Sequence, residues 1–118
     1  MAQDDFSRDP FDRVRDIALA MPGVEESTTF GTPSLKVNGK YLFQMKDNDT
    51  LIVSVDLDTR EMLLATEPEI FFITEHFRGW PAVLVRLAET DDRTLRDIIE
   101  KAWRRRAPKK FVKAYDAR

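Results

Sequence analysis

The stretch from Phe30 to Met45 constrains the fold more than any other part of the chain. Asn38-Gly39 stands there between two β-rich runs, Thr32 to Val37 and Lys40 to Met45. A two-residue hairpin turn of type I′ needs positive φ at both central positions, and Asn and Gly accept that with the least strain. The stretch therefore reads as a strand entered through a Gly31-Thr32-Pro33 corner, a tight turn, and a second strand. Every other element has to be added to this antiparallel pair.

On its N-terminal side, Asp9 is placed to cap a helix whose first residue is Pro10, where the missing N–H has no partner to lose. Phe11, Val14, Ile17, Ala18 and Met21 recur at helical spacing, and Pro22-Gly23 ends the run. Val24 to Phe30 reads as a polar edge strand. Beyond the hairpin, residues 46–50 form a polar loop and Leu51 to Val55 is the strongest strand candidate. Asp58 with Glu61 three residues on resembles a capping box and predicts a short helix ending near Thr66. Ile70 to Thr74 reads as a strand or extended segment, and Ala82 to Leu87 as the last strand, with Pro81 tolerated at its start. Asp91 caps a long helix with Leu95, Ile98, Ile99, Ala102 and Trp103 on its inner face. After Ala107-Pro108, residues 109–115 form a short helix or an extended arm. This order predicts an α+β fold, a two-layer sandwich of one antiparallel sheet with the N- and C-terminal helices packed on one face.

A chain of 118 residues has room for one core. The expected division is a mobile polar tail over residues 1–9, one domain over 10–113 and a C-terminal tail over 114–118. No apolar run approaches the roughly 20 residues that span a bilayer, and the opening segment is acidic, which points to the cytoplasm. The absence of cysteine removes disulfides, thiolate metal sites and cysteine nucleophiles together, and a single His leaves no classical zinc set. No cofactor is expected. Charge is unevenly spread. Residues 1–92 hold 9 basic and 18 acidic side chains, a net of −9, whereas residues 93–118 hold 10 and 3, a net of +7. Such asymmetry raises the case for a polyanionic partner.

The best polyanion surface joins Lys36, Lys40 and Lys46 around the hairpin to Arg104, Arg105, Arg106, Lys109, Lys110 and Lys113 near the C-terminus. Tyr41, Phe111 and Tyr115 are placed to stack on bases. The plainer reading puts Tyr41 and Phe111 in the core and lays the basic segment against the acidic body. Trp80 and Trp103 are expected to be core or sheet-covering residues. Arg86 is either an anion holder beside Trp80 and Lys36 or, more simply, the partner of a nearby carboxylate. His76 has no nucleophile pattern near it, and no phosphate loop or paired-carboxylate motif appears, so no enzymatic activity is expected. Asp12 and Asp16, with Asp4, Asp5 and Asp9, make an acidic ridge with some capacity for hard cations. Arg13 and Arg15 interrupt it, and local ion pairs are the expected outcome.

Several stretches together are similar to the MmcQ/YjbR family of small bacterial domains. They are Ala20-Met21-Pro22-Gly23-Val24-Glu25-Glu26, Phe30-Gly31-Thr32-Pro33 with Lys36-Val37 and Gly39-Lys40, Gly79-Trp80 before Val83 and Arg86-Leu87, and Ala102-Trp103 with Ala107-Pro108-Lys109-Lys110. The resemblance covers roughly residues 10–113. It implies a fold related to frataxin/CyaY in which two hairpins project as paired wings, and a nucleic-acid-binding role, with DNA first. The combined expectation is a non-enzymatic domain that binds nucleic acid with low sequence specificity. The alternative is a protein-interaction or small-ligand-binding module of the same fold, for instance a homodimer joined through the edge strand 24–29.

Overall fold

A computed structural model of the chain describes residues 10–118. The polar tail expected over residues 1–9 and the cap expected at Asp9 lie outside the described residues. Two tight turns organise the sheet. Asn38 and Gly39 have φ of 51° and 78°, the type I′ geometry the sequence predicts, and they join β2 (Thr32–Val37) to β3 (Lys40–Met45). Phe30 and Gly31, at 52° and 76°, make the same kind of turn between β1 (Val24–Thr29) and β2. The corner expected at Gly31-Thr32-Pro33 is thus a second two-residue hairpin.

The remaining elements are α1 (Pro10–Ala18), β4 (Thr50–Ser54), α2 (Leu57–Thr66), β5 (Phe71–Phe72), β6 (Ala82–Arg86), α3 (Asp92–Arg106) and α4 (Lys109–Asp116), with single 3₁₀ turns at Glu75–Phe77 and Leu87–Glu89. Six antiparallel strands lie in the order β1-β2-β3-β4-β6-β5. The α+β sandwich expected from the sequence is therefore the fold observed. Only Phe71 and Phe72 of the stretch 70–74 join the ladder. The cap of α2 is Asp56, not Asp58: its carboxylate accepts from the Thr59 amide at 2.7 Å. Asp91 caps α3 as expected, accepting from Thr94 N at 2.8 Å.

Alternation along each strand separates two faces. Leu35, Val37, Phe43, Leu51, Val53, Val83 and Val85 point into the main core, where α1 brings Phe11, Val14 and Ala18 and α3 brings its Leu95 to Trp103 stripe. Trp103 is fully buried, and its indole N–H donates to the Pro22 carbonyl at 2.9 Å. Arg13 ties α1 to the start of α3 by donating to Leu87 O, Thr90 O and Asp92 Oδ1.

The other face carries the register row Ser34, Gln44, Ile52, Leu84 and Phe72, running from β2 across to β5. Among the described residues no helix covers all of this face. A smaller cluster of Ile52, Phe77, Ala82 and Leu84 shields part of it under the loop that follows β5. The ladder between β2 and β3 slips between Leu35 and Lys36, which leaves Leu42 as an extra residue on β3. That bulge lets Leu42 and Phe43 both be buried and sends Tyr41 to the second face.

The C-terminal boundary expected at residue 113 falls inside a helix. Residues 114–116 complete α4, and the Tyr115 ring packs 5.0 Å from that of Trp103.

Candidate functional site

Ser54 lies at the end of β4 that faces the start of β3, because the two strands run antiparallel with Phe43 opposite Val53. Arg105 Nη1 and Arg106 Nη2 donate to the Ser54 hydroxyl at 3.1 and 3.2 Å. The C-terminus of α3 is thereby fixed at the sheet end that carries Lys40 and the Asn38-Gly39 turn. At this end α4 also docks, with the Phe111 ring packed so closely on Gly23 that a Cβ there would come within 2.4 Å of it. Gly23 directly precedes Val24, whose ladder partner is Val37.

Among the sequence-predicted residues, Lys36, Lys40, Arg105, Lys109, Lys110 and Lys113 therefore share one end of the molecule. Lys46 follows β3 at the opposite end, six positions from Lys40, or about 20 Å at strand rise. Lys36 is half-buried and stands across the β1–β2 ladder from Glu25, which offsets its charge. Arg104 is engaged within the protein. Its Nε donates to Glu100 at 2.9 Å, its Nη2 donates to Asp116 at 2.7 Å, and its guanidinium lies 5.5 Å from the Tyr115 ring centroid. Tyr115 donates to the other Glu100 oxygen at 2.9 Å. This network clamps α4 to α3. On the exposed side of α4, Lys109, Lys110 and Lys113 pair with no carboxylate among the described residues, and Lys110 lies 5.4 Å from the Phe111 ring centroid.

The second face of the sheet holds a cavity of about 410 Å³. Gln44, Ile52 and Ser54 form its floor, Tyr41 and Phe77 stand beside them, and Arg106 closes one end. Burial pushes the Tyr41 phenol well above its ordinary value. Its O–H donates to Gln44 Oε1 at 3.3 Å, and Gln44 Nε2 donates to the Thr29 carbonyl at 2.9 Å. Arg106 has its pKa lowered, first by burial and then by the neighbouring Arg105. Its Nε is buried without a hydrogen-bond partner.

Aromatic side chains edge the cavity. Phe30, at the tip of the β1–β2 hairpin, is 99% exposed. Trp80, expected to pack, is 58% exposed and stacks on His76 with centroids 6.1 Å apart and planes 25° apart. His76 also meets Phe77 edge-on at 5.1 Å, so it sits between two rings. The loop that carries these residues is fastened from beneath by Arg60. This side chain, 5% exposed, donates to the carbonyls of Phe77, Trp80 and Arg78 at 2.8 to 3.0 Å.

Arg60 and Ser54 were not distinguishable in the sequence. An arginine on a helix reads as surface, and nothing local marks one that turns inward. Arg86 pairs with no carboxylate among the described residues: it donates to the Pro68 and Glu69 carbonyls and lies 4.0 Å from the Phe72 ring centroid. Asp12 accepts from Arg15, as the interrupted ridge predicts.

Fold and surfaces together define a small α+β sandwich whose terminal helices pack on one sheet face and whose other face carries a cavity. The chain belongs to the YjbR family, whose sequence profile matches residues 19–105. Proteins of Mycobacterium tuberculosis and Mycobacterium bovis, themselves described as uncharacterized, are 53% identical over 53 residues. That stretch is 45% of this chain and spans 41% of each relative's length. The crystal structure of a Deinococcus radiodurans protein with a DUF419 domain shares the fold, with a TM-score of 0.66 at 20% identity. The match covers 78% of this chain and 74% of that one.

Proposed function

We infer that the protein is a non-enzymatic nucleic-acid-binding domain, with DNA as the first candidate, that holds the phosphate backbone with little regard to sequence. The observation that carries this reading is the stripe of Lys109, Lys110 and Lys113 on α4, exposed and without carboxylate partners among the described residues. Arg105 and Lys40 extend it at the same end of the sheet. Flexible cations in a row neutralise phosphates, and release of counterions then supplies the affinity. Arg104 serves by holding α4 in place. Base reading would need a groove-sized element presenting Asn, Gln or Arg to base edges, and the stripe instead presents lysines suited to phosphate.

The test is fluorescence anisotropy of labelled duplex and single-stranded DNA at two salt concentrations, with a Lys109→Ala/Lys110→Ala/Lys113→Ala variant beside the parent. Binding should weaken steeply with salt. In the variant, the slope of log affinity against log salt should become shallower by about 2 to 3, the loss of three phosphate contacts. Absence of binding at low salt overturns the reading.

A further inference from the structure

We propose that the cavity on the second sheet face is a binding site for a small organic anion built on a flat ring. The ring would lie against Trp80 and His76, and the anionic group would meet Arg106 and Arg105. This goes beyond nucleic-acid binding through the α4 lysines and shares only Arg105 with it.

Charge is the first argument. Two guanidiniums converge on one hydroxyl, that of Ser54, at 3.1 and 3.2 Å, and neither has a carboxylate within 4.0 Å among the described residues. Asp56 feels Arg105 and Lys101 only at longer range. Like charges gathered around a neutral oxygen repel, and a partly buried guanidinium with an unmatched N–H loses hydration without replacement. An anion against the accessible guanidinium nitrogens offsets the repulsion and gives the pair the counter-charge that the described residues do not supply. Elsewhere in the cavity the polar groups already satisfy one another: Tyr41 donates to Gln44, which donates to Thr29. Arg106 is thus the cavity residue with a buried donor left open.

Shape is the second argument. About 410 Å³ falls within the range of roughly 300–1,000 Å³ usual for small-molecule sites, and the walls are mostly apolar. A tryptophan more than half exposed, already stacked on an imidazole, offers a flat surface for one more ring. Arg60 holds the loop beneath it in place, so this surface exists before any ligand arrives. A larger crevice of about 570 Å³ where α1, α3 and α4 meet is a weaker candidate, since Asp16 shares it with Arg96 and Arg118 and offsets their charge.

Ring and anion can come from an aryl carboxylate or from a nucleoside monophosphate. The experiment is a two-dimensional ¹H–¹⁵N NMR titration of the whole chain with 2-naphthoate, with adenosine and uridine 5′-monophosphates, and with adenosine and inorganic phosphate separately. The expected result is a saturable shift of the Trp80 indole N–H and of the Arg105 and Arg106 signals. The probe that saturates first identifies the ligand class, and adenosine or phosphate alone should bind at least about tenfold more weakly. Arg106→Gln should weaken binding by about tenfold or more, and Arg106→Lys by less. Should Arg106→Gln disturb the fold, Trp80→Ala at an exposed position provides the same comparison. The proposal is overturned if no ring-bearing anion gives a saturable shift, if the shifts map away from the cavity, or if the variants bind undiminished. The α4 lysine variant should bind these probes as the parent does, which separates failure here from failure of the nucleic-acid reading.

Discussion

Arg60 is joined to the backbone of Trp80: Nη1 of this buried arginine donates to the Trp80 carbonyl at 2.8 Å. The same nitrogen reaches the Phe77 carbonyl at 3.0 Å, and Nη2 reaches that of Arg78 at 3.0 Å. The Phe77 and Trp80 carbonyls also accept from the Trp80 and Ala82 amides at 3.0 and 2.8 Å, so one side chain arriving from α2 adds a charged donor to turns that the backbone already closes and alone meets the Arg78 carbonyl. An exposed aromatic loop is in this way held from the inside.

Removal of that side chain leaves the Arg78 carbonyl without its donor and takes a charged donor from those of Phe77 and Trp80, which keep the Trp80 and Ala82 amides at 3.0 and 2.8 Å. Arg60→Ala should lower stability by about 2–4 kcal/mol, since hydrogen bonds from a charged donor count more than neutral ones and the Arg78 carbonyl is then unmet. Arg60→Lys, with one charged terminus in place of a fork, should recover only part of this. Urea denaturation checks the magnitude. A red-shifted Trp80 emission before global unfolding checks that the loop moves first. An unchanged midpoint in Arg60→Ala would remove the assigned role.

The two type I′ turns make opposite predictions. Asn38 suits its position, and Asn38→Ala should destabilise the protein by about 1 kcal/mol. Phe30 is a bulky residue at φ 52° with its side chain in solvent, so the turn gains little from it. Phe30→Asn should therefore stabilise by about 0.5–1 kcal/mol in thermal or urea melts. A destabilised Phe30→Asn variant would mean that the ring makes contacts its exposure does not show.

Gly23 is required twice over, by its φ of 77° and by the Phe111 ring that occupies the space of a side chain. Gly23→Ala should destabilise by about 2–3 kcal/mol and loosen α4. Adding Phe111→Ala removes the clash but not the strain. The double variant should accordingly be less destabilised than the two single changes sum to, by a coupling of about 1 kcal/mol in a double-mutant cycle. Strict additivity would show that α4 is not seated on Gly23.

The sequence carried much of this fold because its signals were local. Asn38-Gly39, the Asp91 cap and the Leu95 to Trp103 stripe each specify an element within a few residues, and each appears as read. The short helix was legible but its cap was not, since Asp56 and Asp58 both stand within reach of its start and only backbone geometry selects Asp56. The open-face site was the least legible part. Arg106 belongs to a run of three arginines identical in sequence character, yet Arg104 turns to α4 whereas Arg105 and Arg106 turn to Ser54 on β4. That division depends on helix phase and on a strand 51 residues earlier, which charge patterning does not encode. Trp80 misled for a related reason: a tryptophan at a strand start usually packs, and here Arg60 fixes its backbone and leaves the ring outside.

Acid should release α4 before the rest of the fold. An eight-residue helix is marginal alone, so its place depends on docking. Hydrogen bonds from Arg104 hold the Glu100 and Asp116 carboxyls below their usual range. With folded-state pKa values depressed, their contribution is fully present above the ordinary carboxylate value of about 4 and is lost as pH falls toward the folded values. On the alkaline side, burial and then the bond to Glu100 raise the Tyr115 pKa. Its contribution is complete below about pH 10 and declines as pH rises beyond that. Protection factors of the α4 amides, corrected for the intrinsic pH dependence of exchange and followed from pH 7 to 3, should therefore fall below about pH 4 while the β4 and β6 amides remain protected. Arg104→Gln should speed α4 exchange at pH 7 and flatten its acid dependence. If the α4 protection factors in that variant still fall with pH as in the parent, the clamp is not what holds α4.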